Sequence, residues 1–220
     1  MRFVTKNVST TVLLTGFGPF PGVAVNPSGR FVRALGRAVK RRFHDVRVVW
    51  EVLPTQWLAA SMSNTKLRQH YQPDIILHFG VSNMARGFVI ENVAHNACDD
   101  LVDACGAVPG NDFVVGGGPP LLEVTIPVDE ILDALACGGV PSVSSMDAGA
   151  YLCNAVLYRS LLGTKIGFDD AHFLNSRHCQ VGFIHVPQNL GTTKCALSWR
   201  AAIKGGLIIV NASIRSHAGR

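Results

Sequence analysis

The 220-residue chain has no uninterrupted apolar run of about 20 residues, so no helical membrane span is expected. Its opening "MRFVTKNVST" holds no apolar stretch ahead of a small-residue cleavage site, so no secretory signal is read there. The six cysteines, at 98, 105, 137, 153, 179 and 195, form no CxxC pair and no zinc spacing. A chain of this size needs no disulfide staples, and reduced thiols in a cytoplasmic protein are expected. The phosphate-loop pattern GxxxxGK[ST] is absent. "VVGGGPP" (114–120) runs into prolines rather than a helix, which excludes a dinucleotide fingerprint. Charged residues are scarce, at 16%, and no dense run of Lys and Arg is interleaved with aromatics. The formal charge of +5 and a pI near 9.0 therefore do not point to nucleic acid. In the most basic stretch, "RFVRALGRAVKRRF" (30–43), Val32, Leu35, Val39 and Phe43 share one helical face while the basic residues take the other, as on a solvated helix.

Hydrophobic residues, in contrast, are plentiful. At 48% they can build a large core, and the absence of a linker predicts a single domain over 1–220, with 1–10 as a short N-terminal extension. Short runs bounded by Gly or Pro, apolar except at 141–146, read as strands at 11–17, 46–54, 74–80, 141–146 and 180–187. "GFVIENVAHN" (87–96) is also strand-like but has a polar centre. Helices are expected at 26–43, capped by Asn26 or Ser28, at 55–71 more weakly, at 127–139 with Pro127 as its first residue, around Cys153, and at 192–203. "LIIVNASI" near the end reads as a second helix or a strand. The Gly- and Pro-rich stretch 97–126 reads as long loops with room for one hairpin, and long loops in compact domains are often functional. Strands alternating with helices predict an α/β fold with a mostly parallel central sheet, whose reactive groups gather where strands end and helices begin.

Three side chains at such places bear chemistry. Cys153 lies in "DAGAYLCNAVLY" (147–158), early in a helix whose expected cap is Asp147. The partial positive charge of a helix N-terminus favours a thiolate, and its N–H groups are candidate oxyanion donors. Taken alone, a single cysteine in such a sequence is usually core. His185, in "GFIHVP", stands near a strand end, where a histidine can meet a helix N-terminus; alone it reads as half-buried and satisfied. Glu91 interrupts "FVIENVA", and a carboxylate there either faces outward or needs a partner. A partner histidine would be held in one tautomer, as in a Ser-His-Asp triad. Finally, "TGFGPFPG" (15–22) presents Phe17 and Phe20 from a tight turn after a strand, either into the core or as walls of an apolar pocket.

Together these stretches resemble the pyroglutamyl peptidase I family of cysteine peptidases over roughly 11–205. "TGFGPFPGVAVNPSG" is similar to the family's TGF-x-PF-x-G followed by N-P-[ST], and "IENVAHN" to its I-x-E-R-V-A-x-N. "SSMDAGAYLCN" is similar to S-N-T-A-G-T-[FY]-V-C-N, and "GFIHVP" matches G-F-I-H-[VL]-P. Each motif alone is modest; four in order are specific. The resemblance implies a three-layer α/β/α sandwich of the phosphorylase/hydrolase-like kind. It makes Cys153 the nucleophile, His185 its base and Glu91 the acid that orients the imidazole. Phe17, Phe20, Asn26 and Tyr151 become the pocket for a pyroglutamyl ring. It implies peptides with N-terminal pyroglutamate as substrates, neither metal nor cofactor, no nucleic-acid or membrane partner, and a homo-oligomer, a tetramer by analogy.

The chain also departs from the family. "CDDLVDAC" replaces a stretch like N-D-A-R-I-P-D-N and puts Leu101 where an arginine is implied near the oxyanion site. "GVSNMAR" replaces G-Q-A-G-G-R, and Arg86 matches its arginine only with a one-residue gap. Met146 and Asp147 replace Asn and Thr. These departures keep two other readings open: a Cys-His-Glu amide hydrolase with a different substrate, and a relative that binds pyroglutamate without turnover.

Overall fold

The computed structural model describes residues 10–166 and 179–219. The expected N-terminal extension falls largely on residues 1–9, outside the described residues; Thr10 already opens the first strand. In chain order the elements are β1 (Thr10–Phe17), α1 (Pro27–Arg42), β2 (Val46–Leu53), α2 (Trp57–Tyr71), β3 (Ile75–Ser82), β4 (Phe88–Glu91), β5 (Val93–His95), β6 (Leu121–Glu123), α3 (Val128–Cys137), β7 (Ser142–Ser145), α4 (Leu152–Ile166), β8 (Gln180–Pro187) and α5 (Trp199–Ala218).

Six strands form one sheet in the order β2-β1-β3-β8-β4-β7. The pairings are parallel except that of β4 with β8, which is antiparallel. Because successive strand residues point to opposite faces, β1 divides its apolar side chains between two layers. Val12 and Leu14 pack with Phe31 and Leu35 of α1, Leu135 of α3 and Ile209 of α5. Leu13 and Phe17 pack with Ala60 of α2 and Val156 and Leu161 of α4. β8 divides in the same way: Ile184 and Val186 join the first layer, while Val181 and Phe183 join the second. His185, in step with Phe183, faces the α4 side. The expected α/β/α sandwich is the observed fold.

The first motif is explained by one close crossing. A Cβ on Gly16 would lie 2.6 Å from the Ser28 carbonyl oxygen, and one on Gly29 2.6 Å from that of Phe17. Only glycine at both places lets the end of β1 touch the start of α1. Asn26 caps α1 by accepting from the Ser28 N–H (3.1 Å), and its Nδ2 donates to the Gly18 carbonyl (2.9 Å). The turn carrying Phe20 is thereby fixed to the helix.

Three expectations are corrected. α5 is one 20-residue helix with Ser198 as its cap, so the helix expected at 192–203 begins later and continues through "LIIVNASI". Burying Ile209, Val210 and Ala212 against the sheet overrides the β preference of that stretch. Pro127 is the cap of α3 rather than its first residue. Asp147 does not cap α4; its Oδ1 accepts from the Gly149 N–H (2.8 Å) in a local turn. The Gly- and Pro-rich stretch forms no hairpin of its own among the described residues; its one strand, β6, pairs antiparallel with β5, which precedes the stretch.

A polar network lies under the α2–α4 layer. His78 of β3 joins Thr15 Oγ1 through Nδ1 (2.6 Å) and Ser160 Oγ through Nε2 (2.9 Å), and Asn64 Nδ2 donates to the same hydroxyl (2.8 Å). Burial, helped by the Arg68 cation, lowers the His78 pKa from 6.5 to about 3. The unfolded ring therefore binds a proton more readily than the folded one. Its contribution to stability is complete above 6.5 and lost as pH falls toward about 3. Urea melts at fixed ionic strength should show stability declining from pH 6.5 downward, with a shallower slope in His78→Gln. Equal slopes in both proteins would contradict this assignment.

Candidate active site

Cys153 is the second residue of α4. The helix opens without a side-chain cap among the hydrogen bonds of the described residues, and the Tyr151 carbonyl accepts the Ala155 N–H (3.1 Å). The N–H groups of the first turn have no carbonyl partner within their own helix, so Leu152, Cys153 and Asn154 are donors at the thiol's own position. Asn154, which sequence reasoning passed over, fixes this end of the helix. Its Nδ2 donates to the carbonyls of His95 (2.8 Å) and Ala97 (3.0 Å), and its Oδ1 accepts from the His95 N–H (2.8 Å). Its place directly after Cys153 in the "YLCN" motif was the available signal.

His185 comes to the thiol from β8. Its Nδ1 is 2.7 Å from Glu91 Oε1, and Cys153 is near enough to act on the ring's pKa. Both His185 and Glu91 are buried, at 7% and 1% exposure. Burial alone would lower the imidazole pKa. Negative charge on Cys153, the hydrogen bonds to Cys153 and Glu91 and the Glu91 charge outweigh it and raise the value to about 10. The ring is therefore favoured as a cation beside Glu91 and Cys153. Glu91 Oε2 is buried with no hydrogen-bond partner among the described residues.

Phe17, Phe20, Asn26, Tyr151, Cys153, His185 and Glu91 all line one cleft of about 670 Å³. All seven residues singled out in the sequence thus meet at one place. Phe17 stacks toward Phe183 (6.4 Å between ring centres), and Phe183 toward His185 (4.8 Å). Phe20 lies 6.5 Å from Tyr151, which meets Trp57 edge-on at 5.1 Å. Burial, then the nearby Asp103 and Cys153 charges, raise the Tyr151 pKa to about 12, so the hydroxyl stays neutral and donates to the Val102 carbonyl (3.1 Å).

The loop beneath Tyr151 is built on Asp103. Its carboxylate accepts from the N–H groups of Trp57 (3.0 Å), Cys105 (2.7 Å) and Ala107 (3.0 Å). Burial works to raise its pKa, yet these three bonds hold the carboxyl below its ordinary value. Trp57 Nε1 donates to the Leu101 carbonyl (3.0 Å), while the Leu101 side chain is half exposed and outside the cleft lining. A larger cleft of about 860 Å³ lies between α2 and this loop, but neither His185 nor Glu91 reaches it.

Known proteins resemble this chain in both sequence and fold. The pyroglutamyl peptidase family pattern matches residues 10–196. Pyrrolidone-carboxylate peptidase 1 of Ralstonia nicotianae is 33% identical over 179 residues, covering 80% of this chain and 78% of its own. The pyrrolidone-carboxylate peptidase of Pyrococcus furiosus is 33% identical over 178 residues, covering 80% of each. Among solved structures, pyrrolidone carboxyl peptidase from P. furiosus superposes with a TM-score of 0.81 at 28% identity, over 94% of this chain and 100% of that one. Pyroglutamyl peptidase I from Bacillus amyloliquefaciens gives 0.81 at 28% identity, over 93% and 95%. Matched along most of its length in both sequence and fold, the chain belongs to the pyroglutamyl peptidase family of cysteine peptidases.

Proposed function

We propose that this chain is an omega-peptidase that removes N-terminal pyroglutamyl residues from peptides, with Cys153 as nucleophile, His185 as proton carrier and Glu91 as the group that orients it. The observation that carries the reading is the buried Glu91–His185 bond beside a thiol at a helix N-terminus. A pyroglutamyl residue has no free amine, because its nitrogen lies within the lactam. Apolar walls such as Phe17, Phe20 and Tyr151 suit that ring. Asn26 serves chiefly to hold the Phe20 turn, since its Oδ1 is taken by Ser28 and its Nδ2 by Gly18.

The thiolate of Cys153 forms a bond to the pyroglutamyl carbonyl carbon, and the oxygen becomes an oxyanion beside the first-turn N–H groups of α4. As the C–N bond breaks, His185 passes its proton to the leaving amine. Water then attacks the thioester and gives a proton to His185, and pyroglutamate leaves as the thiolate returns. With Leu101 outside the cleft, the oxyanion rests on backbone donors.

The reading also takes 1–220 as one α/β domain, built around the six-stranded sheet. Cytoplasmic residence is carried over from the expectation of reduced thiols, and a homo-oligomer from the family resemblance. No helix of the described residues is long and apolar enough to cross a membrane.

Hydrolysis of a pyroglutamyl-aminocoumarin amide under reducing conditions tests the reaction. Cys153→Ala should lose at least about a thousandfold in kcat, and Glu91→Gln about a hundredfold or more. An unchanged rate in Cys153→Ala would sink the proposal. The acid role of His185 requires its proton. With the pKa raised from 6.5 to about 10, kcat/KM should hold through mildly alkaline pH and fall as pH rises through about 10. Glu91→Gln removes a charge that supports the cation, so this limb should move to lower pH.

Gly80 offers a test of position alone. A Cβ there would sit 2.9 Å from Cys153 Sγ and 2.7 Å from Phe183 Cζ. Gly80→Ala should therefore displace the thiol and lower kcat by about a hundredfold. The accompanying loss of stability should be only about 1–3 kcal/mol, measured by urea denaturation.

A further inference from the structure

The cleft continues past the catalytic pair. In the sheet order β1-β3-β8-β4-β7, the aromatic pocket gathers at the end of β1, with Phe17 and the Phe20 turn. Cys153 lies over Gly80 of β3, and His185 is on β8. The next two strands extend the same row. Val89 of β4 is the register partner of His185, and Val143 of β7 is the register partner of Val89. Side chains of register partners stand on the same face of a sheet. His185, Val89 and Val143 therefore stand side by side, and β7 is the edge. All three line the cleft, together with Met84.

This linear order matches the order of a substrate's parts. The lactam ring belongs in the aromatic pocket and the scissile carbon at Cys153. The leaving nitrogen must be within reach of His185, because it takes its proton there. The leaving residue is then directed away from the lactam pocket, onto Val89 and Val143. Strands lie about 4.8 Å apart, so the row from His185 to Val143 spans about 10 Å, enough for two to three extended residues.

The surface they would meet is apolar where water would ordinarily favour polar side chains. Val143 is 59% exposed within the otherwise polar "SVSS" strand, and Met84 is 77% exposed. Scattered exposed apolar residues need no explanation. Here they lie in one trench that starts at the proton donor. Apart from Glu91 and His185, the charged side chain lining the cleft is Asp147, whose exposed carboxylate disfavours acidic side chains.

Building on the pyroglutamyl-peptidase reading above, we propose that Val89, Val143 and Met84 form the subsite for the leaving residue, and that it selects peptides with an apolar residue directly after pyroglutamate over those with an acidic one. Apolar burial supplies the preference, and Asp147 strengthens it by repulsion.

The test compares kcat/KM for pyroglutamyl-leucine amide and pyroglutamyl-aspartate amide under reducing conditions. The wild type should favour leucine by about tenfold or more. Val143→Lys, on an exposed edge-strand position, should bring this ratio toward or below one, because a cation now faces the leaving side chain. Met84→Ala, in a loop and without added charge, should lower the ratio severalfold by removing apolar surface. A wild-type ratio near one overturns the subsite while leaving the peptidase reading intact. A high ratio that both variants retain also overturns it, since the preference then originates elsewhere. Failure of the wild type to cleave either peptide, or pyroglutamyl-glycine amide, would instead defeat the peptidase reading on which the subsite rests.

Discussion

Glu91 and His185 stand on adjacent strands that run in opposite directions, and the active site depends on that reversal. Four of the six strands, β2, β1, β3 and β8, share one direction. β4 enters against them. Val89 registers with His185, so Glu91, two residues on, emerges on the same face and its carboxylate reaches back to Nδ1 at 2.7 Å. The pair is buried, and a buried carboxylate is tolerable only beside a cation or several donors. The protonated imidazole is that cation. The same bond therefore lets Glu91 stay buried and fixes the ring, which in the proposed mechanism keeps a proton available for the leaving group.

The remaining parts of the site are held by polar side chains that bind the protein's own backbone. Asn26 ties the Phe20 turn to α1, Asn154 ties the start of α4 to the strand carrying His95, and Asp103 gathers the loop under Trp57 and Tyr151. Deeper down, Thr15, His78, Ser160 and Asn64 join β1, β3, α4 and α2. Ser160 lies two turns along α4 from Cys153, so this network restrains the helix whose first turn holds the proposed nucleophile. Each device satisfies orphaned backbone or buried polar groups and also limits how far a reacting atom can drift.

What was readable in the sequence follows from where its information is local. The ends of β1, β2 and β8 and the Asn26 cap are set within a few residues by Gly, Pro and a capping side chain and emerged within a residue of expectation, whereas β3 runs past Gly80 to Ser82 and the stretch 87–96 divides into β4 and β5. Glu91 stood out because a carboxylate amid Val and Ile needs an explanation wherever it lies. The start of α4 was misplaced because an Asp before a helix signals a cap and a turn equally well, and Asp147 makes the turn. α2 read weakly because its buried stripe is Ala60, Asn64 and Arg68, whose burial depends on partners far away in sequence. α5 was broken in two because its β-branched residues gain more from packing on the sheet than they lose in helical preference. The row from His185 through Val89 to Val143 was out of reach altogether. It exists only through the register of strands separated by about a hundred residues or fewer in an order the chain does not follow.

The replacement at Leu101 bears on how this chain can share the family's chemistry. A charged side chain near the oxyanion would stabilise it strongly but would also need a solvated or paired resting place between turnovers. Leu101 removes that charge, and its loop is instead anchored by backbone, with the Leu101 carbonyl bonded to Trp57 and the Val102 carbonyl to Tyr151. The loop can thus keep the aromatic wall in place without supplying a cation. In the proposed mechanism charge stabilisation is left to the helix start that carries Cys153, whose donors are fixed by the fold of α4 and by Asn154. In such a site the positions of backbone N–H groups, more than any single basic side chain, set the height of the barrier.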